Sequence, residues 1–154
     1  MTDQHSYTLE LKWRGKTDDP HTYDRSYIIT GNGKTQIAGS ADSFSRGDPN
    51  KWNPEEMLLG SLGSCYMLWY LYLCAASKII VTEYQDQPTA ILNIDSEGTG
   101  AFTGATLNPH VVITDSSRID EARALESQAH KKCFIVNSIN FEVKVNSQIK
   151  TQTL

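Results

Sequence analysis

Asn53-Pro54-Glu55-Glu56-Met57-Leu58-Leu59-Gly60-Ser61-Leu62-Gly63-Ser64-Cys65-Tyr66-Met67-Leu68-Trp69-Tyr70-Leu71-Tyr72-Leu73-Cys74-Ala75-Ala76 is the stretch whose reading decides the fold. It opens with a helix-start signal. Asn53 suits the N-cap, Pro54 the first helical position, and Glu55 and Glu56 the positive end of the helix dipole. No residue from Met57 to Ala76 is charged, a run long enough to invite a transmembrane reading. Gly60, Ser61, Gly63 and Ser64 dilute its first half, so the pattern predicts a helix over 54–76 buried on all sides inside a globular protein. Each glycine costs about 1 kcal/mol relative to alanine in a helix interior, which predicts a neighbouring helix or a bound substrate packed closely there.

The rest of the chain looks like cover for that helix. Its 154 residues fit one domain, 1–154, able to bury about two-thirds of the surface that the unfolded chain exposes. A net charge of -4 argues against a nucleic-acid partner and against a polybasic membrane contact. The first six residues carry neither a basic segment nor an apolar run, so no secretory leader is expected and the cytoplasm is the expected address. Three cysteines without framework spacing favour reactive, buried or metal-bound thiols over a disulfide scaffold.

Residues 6–14 alternate, with Tyr7, Leu9, Leu11 and Trp13 on one side, and read as a half-buried strand. Strand character resumes over 25–30, Gly31-Asn32-Gly33 signals a hairpin, and 36–40 returns. From Gly39 to Trp52 turn formers dominate. Beyond the helix, β-rich runs at 79–82, 90–94 and 105–114 suggest a meander. Ser117 is the expected cap of a second helix whose stripe Ile119, Ala122, Leu125, Ala129 and Cys133 puts that cysteine on the buried face. Ile139–Ile149 reads as a last strand with Phe141, Val143 and Val145 inward, and 150–154 as a frayed tail. Strands before, between and after two helices make an α+β domain, with antiparallel sheet wrapped around a central helix.

Asn53-Pro54-Glu55-Glu56 with Cys65 ten positions after Glu55, and a second cysteine in Ala129-His130-Lys131-Lys132-Cys133-Phe134-Ile135-Val136-Asn137-Ser138, resemble the OsmC/Ohr family, the osmotically induced and organic hydroperoxide resistance proteins. The likeness is densest over 39–73 and 129–141, and within the family it lies with a less characterised OsmC-like branch. The resemblance implies an intertwined homodimer with active sites at the subunit interface, Cys65 as peroxidatic and Cys133 as resolving cysteine, Glu55, and an arginine nearby. It implies hydroperoxide substrates, a dithiol reductant, and no cofactor or metal. Tyr66 stands where relatives of this branch often carry histidine.

The residues themselves limit the chemistry. A thiol with a pKa near 8.5 is only about 3% ionised at pH 7, so complete ionisation adds roughly thirtyfold, or about 2 kcal/mol. A fixed cation that polarises the O–O bond and stabilises the leaving alkoxide supplies more. Arginine suits this because it stays charged; Arg46 is the first candidate and Arg14 the second. Ten helical residues rise about 15 Å and rotate about 280°, so Glu55 and Cys65 cannot share one straight helix face. Either the chain bends or a second subunit delivers the glutamate. Cys74, nine residues from Cys65, faces away as an apolar filler. His130, one turn before Cys133, is a structural histidine, a zinc ligand or a base. Besides a peroxidase, the pattern allows a non-enzymatic module binding an apolar small molecule, and a cysteine hydrolase using Cys65 and His130.

Overall fold

Helix α1 spans Pro54–Ala76, with the bounds expected. The Asn53 side chain accepts the Glu56 N–H at 2.7 Å, and the Glu56 carboxylate accepts the Asn53 N–H at 3.3 Å. This reciprocal capping box satisfies two N–H groups that a helix start otherwise leaves open. At the other end Lys78 takes a left-handed conformation, φ 58°, and the Ile79 N–H returns to the Cys74 carbonyl. The computed structural model describes residues 2–152, and the chain divides into two compact units, Met1–Leu58 and Leu59–Leu154.

The first unit holds strands β1 (Glu10–Lys12), β2 (Tyr27–Thr30) and β3 (Ile37–Gly39) in one antiparallel sheet, with Leu11 opposite Ile29 and Tyr27 opposite Gly39. The hairpin between β2 and β3 turns through Gly33, whose φ of 68° suits a residue without a side chain. The strand expected over 6–14 shortens to three residues, and its apolar side is uncovered: Tyr7 is 92% and Leu11 67% exposed. Alternation marks a face but does not supply the layer that covers it. Within the turn-rich segment before α1, Asp42 caps a 3-10 turn over Ser43–Ser45.

The second unit holds β4 (Val81–Gln85), β5 (Thr89–Ile94), β6 (Gly100–Leu107), β7 (His110–Ile113), α2 (Ile119–Ala124), α3 (Glu126–Lys132), β8 (Glu142–Val145) and β9 (Gln148–Thr151). They form two sheets, β4-β7-β9 and β5-β6-β8, each with one antiparallel and one parallel pair. This corrects the meander. The run 105–114 breaks at Asn108-Pro109, where proline has no N–H to give a ladder, and 139–149 breaks at Asn146-Ser147. The two breaks lie side by side, since the Asn146 and Gln148 N–H groups bind the Leu107 and Pro109 carbonyls at 2.8 Å. Both segments, β6 to β7 and β8 to β9, change sheets at that corner. Thr151 belongs to β9, and of the tail expected to fray, 153–154 lie outside the described residues.

The second helix is also split, at Leu125, and Ser117 does not cap it: Ser117 lies in a 3-10 turn over Ser116–Arg118 that leads into α2 and is capped by Asp115, whose carboxylate accepts the Ser117 N–H at 2.9 Å, while Arg118 at the start of α2 makes no side-chain cap. The apolar stripe survives the break: Ala122, Leu125, Ala129 and Cys133 are buried. They pack with Leu62, Tyr66, Tyr70, Leu73 and Cys74 of α1 and with Ala105, Leu107, Val111, Ile113 and Val143 of the sheets. Full burial of a leucine such as Leu62 or Leu107 contributes about 1.5–3 kcal/mol. Cys74 is the expected filler.

Burial on all sides is the expectation that fails for α1. Its buried residues make one stripe, while Leu68 and Tyr72 are each 62% exposed. By length and composition it remains apolar enough to cross a membrane. Nor do both glycines answer a close neighbour. Gly63 touches Pro88, but nothing lies within 4 Å of where a Gly60 side chain would start.

Candidate active site

Cys65 sits mid-way along α1, half-buried, and Cys133 is fully buried at the end of α3. The sequence places them 68 residues apart; the second unit brings their thiols together as side-chain partners. Both are free. Burial first, and then the neighbouring Cys65, push the Cys133 thiol up to about 11. Backbone N–H groups of Val136 and Ile135 oppose that shift, the Val136 N–H reaching the Cys133 sulfur at 3.5 Å. One thiol is therefore accessible and the other is dry and protonated.

An aromatic wall adjoins the pair. Trp69, one turn beyond Cys65, meets Phe134 and Tyr72 edge to face, with ring centroids 5.7 and 5.8 Å apart. The Lys132 ammonium lies 5.2 Å from the Trp69 centroid, within cation–π range. Leu68, Trp69, Tyr72 and Lys132 line an open cavity of about 390 Å³. Tyr66, although next to Cys65 in sequence, turns into the core, is fully buried and stacks on Tyr70. His130 Nε2 donates to the Val143 carbonyl at 3.0 Å, tying α3 to β8. Among the described residues no cluster of three or more histidine, cysteine or acidic side chains is arranged to hold a metal ion.

The remaining residues expected at a site lie in the first unit. Glu55 has a buried carboxylate oxygen without a hydrogen-bond partner. Its charge, after burial, raises the pKa of Tyr27. The Tyr27 ring lies across Gly39 so closely that a β-carbon there would stand 2.4 Å from it. Arg46 is exposed and ends the 3-10 turn in a left-handed conformation, φ 62°. Arg14 is exposed and borders a cavity of about 470 Å³ with Lys12, Ser26 and Tyr27.

Sequence reasoning passed over a third arginine. Arg25 is half-buried, its guanidinium 4.2 Å from the Tyr23 centroid and bound to the Tyr23 and Pro20 carbonyls at 3.0 and 2.7 Å. It borders a cavity of about 560 Å³ with Trp13, Tyr27, Ser40 and Pro54. In the sequence it opens the segment 25–30, whose strand character masks it. The flanking Tyr23 and the polar loop before it were the available signal.

The α+β chain brings an accessible cysteine of its long helix next to a buried cysteine at the end of α3. A family model described as OsmC-like protein matches residues 47–148. The chain belongs to the OsmC family. It is 28% identical over 155 residues, 97% of each chain, to the uncharacterised protein YmaD of Bacillus subtilis. An OsmC-like protein of unknown function from Vibrio cholerae superposes with a TM-score of 0.83 at 27% identity, over 95% of this chain and 99% of that one. An organic hydroperoxide resistance protein OsmC from Legionella pneumophila shares the fold, with a TM-score of 0.66 at 20% identity over 97% and 100% of the two chains.

Proposed function

We propose that the chain is a thiol-dependent peroxidase that reduces organic hydroperoxides. The Cys65 thiolate attacks the distal peroxide oxygen; the O–O bond breaks, the alkoxide leaves and is protonated to the alcohol, and Cys65 becomes a sulfenic acid. Cys133 then attacks the Cys65 sulfur, an S–S bond forms, and hydroxide leaves as water with the proton that Cys133 gives up. A dithiol reductant reopens the disulfide by two exchange steps. The observation that carries the proposal is the pairing of an accessible Cys65 with a buried Cys133. Family membership and the hydroperoxide-resistance name of a structural relative support the substrate class.

Glu55 and an arginine complete the proposal as carboxylate and cation. Arg46 and Arg14 are the sequence candidates, and Arg25, held in defined contacts, joins them. Because α1 runs unbroken, Glu55 and Cys65 do not share a face of it. A homodimer is the proposed means by which both serve one site, and the exposed Leu68 and Tyr72 are proposed to meet the second copy. The cytoplasm, where thiols are kept reduced, is the proposed place of action.

The test is non-reducing mass spectrometry after one equivalent of cumene hydroperoxide, which should show a Cys65–Cys133 bond. Both thiols intact would defeat the mechanism. The cavity beside Trp69 favours a second proposal, a binding module for apolar small molecules. That alternative expects Cys65→Ser to leave binding unaltered and turnover in the natural protein to be negligible.

A further inference from the structure

The turn that follows α3 is wound around the Cys133 sulfur. Cys133 ends the helix with extended backbone, ψ 110°, while its N–H still reaches the Ala129 carbonyl at 3.0 Å. Four carbonyls at this turn take their donors from two residues, Asn137 and Ser138. The Asn137 side chain donates to the Lys131 carbonyl at 3.0 Å, and its N–H to the Cys133 carbonyl at 3.1 Å. The Ser138 hydroxyl donates to the Phe134 carbonyl at 2.7 Å, and its N–H to the Ile135 carbonyl at 3.0 Å. Both residues are exposed, so water could satisfy their side chains; what the contacts add is a fixed path for the backbone.

With the carbonyls drawn toward Asn137 and Ser138, N–H groups of the same turn face the sulfur. The Val136 N–H donates to Cys133 Sγ at 3.5 Å, and the Ile135 N–H acts on it as well. Successive backbone N–H groups in a tight turn make a concavity that favours negative charge. The basic side chains nearby on α3 are engaged elsewhere: the Lys132 ammonium lies over the Trp69 ring, and His130 Nε2 donates to the Val143 carbonyl. Around a fully buried sulfur, a donor fixed in advance stabilises a forming anion far more than it would in water.

We propose that residues 133–136 cradle the Cys133 thiolate: the Val136 N–H stabilises the charge that appears on Cys133 Sγ whenever a Cys65–Cys133 bond opens or closes, and Asn137 is the positioning residue that keeps this N–H aimed. The inference rests on the reading of the two cysteines as a redox pair. In opening, the thiolate of a dithiol attacks the accessible Cys65 sulfur and forms an S–S bond there. The Cys65–Cys133 bond breaks, and its electron pair stays on Cys133, which takes a proton from water. The second thiol of the reductant loses its proton and displaces Cys65, so the dithiol is oxidised to a disulfide and the protein disulfide is reduced. Closing runs through the same species in reverse. Cys133 is a thiol in the reduced protein at neutral pH and half of a disulfide in the oxidised one. The N–H therefore meets a full negative charge only between the two, where it lowers the barrier in both directions and leaves the equilibrium in place.

Asn137→Ala tests this in the whole protein at neutral pH, with dithiothreitol opening the disulfide and oxidised dithiothreitol closing it, each followed by acid quench and mass spectrometry. No peroxide takes part, so thiols that ignore cumene hydroperoxide would defeat the peroxidase and leave this measurement intact. Both rates should fall by one common factor, about three- to tenfold, with the equilibrium constant unchanged. Ser138→Ala, which takes the hydroxyl from the Phe134 carbonyl, should act in the same direction, so one poorly folding variant does not shield the proposal. Rates equal to those of the natural protein would overturn the cradle. So would rates that fall unequally and shift the equilibrium, the mark of a turn that merely holds the two cysteines together, or a Cys65–Cys133 pair that oxidised dithiothreitol cannot join.

Discussion

Cys133 and Cys65 are side-chain neighbours, yet their unequal burial, Cys133 fully and Cys65 only in part, makes the two cysteines chemically unequal. In the proposed reaction, peroxide reaches Cys65 from outside and Cys133 meets only what Cys65 has become.

That inequality sets a pH dependence. With its pKa raised to about 11, chiefly by burial, Cys133 is almost wholly protonated at neutral pH. Its thiolate fraction, and with it the rate of disulfide formation, should rise about tenfold per pH unit from pH 7 to 10. Rapid quench with a sulfenic-acid trap checks this, and a flat profile contradicts it. Cys133→Ser should leave the first peroxide turnover within about threefold and abolish disulfide formation. Because the folded-state pKa is the higher one, stability should also fall as pH climbs from about 8.5 toward 11.

The cation can be identified by comparison. If Arg25 polarises the peroxide, Arg25→Met should lower the rate of Cys65 oxidation by about 10²–10³-fold, the usual cost of losing one charge-stabilising donor. Arg46→Ala and Arg14→Ala should then stay within about threefold. Single-turnover kinetics with cumene hydroperoxide decide; a large loss at Arg46 and none at Arg25 would return the role to the residue first chosen from the sequence.

The uncovered face of α1 predicts an oligomer. Leu68→Glu and Tyr72→Glu should convert a homodimer to a monomer in light scattering, while a monomeric natural protein would contradict the proposed dimer. Gly60 sharpens the comparison, since its surroundings within the chain are open. Gly60→Ala should stabilise an isolated chain by up to about 1 kcal/mol, and a loss of stability or assembly would mark close packing of a second copy there.

The end of α1 has its own anchor. Arg118 donates to the Ser77 and Lys78 carbonyls at 2.9 Å and is held by Glu121 at 2.6 Å. The ion pair is partly exposed and contributes little, but the carbonyls at the helix end lose a charged donor in Arg118→Ala. Destabilisation of about 1–2 kcal/mol in urea is expected, with no change in the chemistry of Cys65.

Local grammar made much of this legible. Asn53, Pro54 and Glu56 state a helix start in three residues because capping is satisfied within one turn of chain, and α1 begins where they put it. The stripe ending at Cys133 was readable for the same reason, although Leu125 breaks the helix beneath it. Register between distant strands was not readable. Asn108-Pro109 and Asn146-Ser147 are ordinary turn residues, and nothing local says that both turns switch sheets at one corner.

By itself, then, the sequence determined the long capped helix and the α+β class, because periodicity and capping act over a few neighbouring positions, while its resemblance to the OsmC/Ohr family marked Cys65 and Cys133 as the residues to watch. Only the tertiary structure decided that the two thiols are neighbours, that Tyr66 turns into the core away from its neighbour Cys65, and that Arg25 is held in place while Arg46 stands in solvent. Burial and charge at a side chain are set by segments far away in the chain, and local spacing carries no record of them.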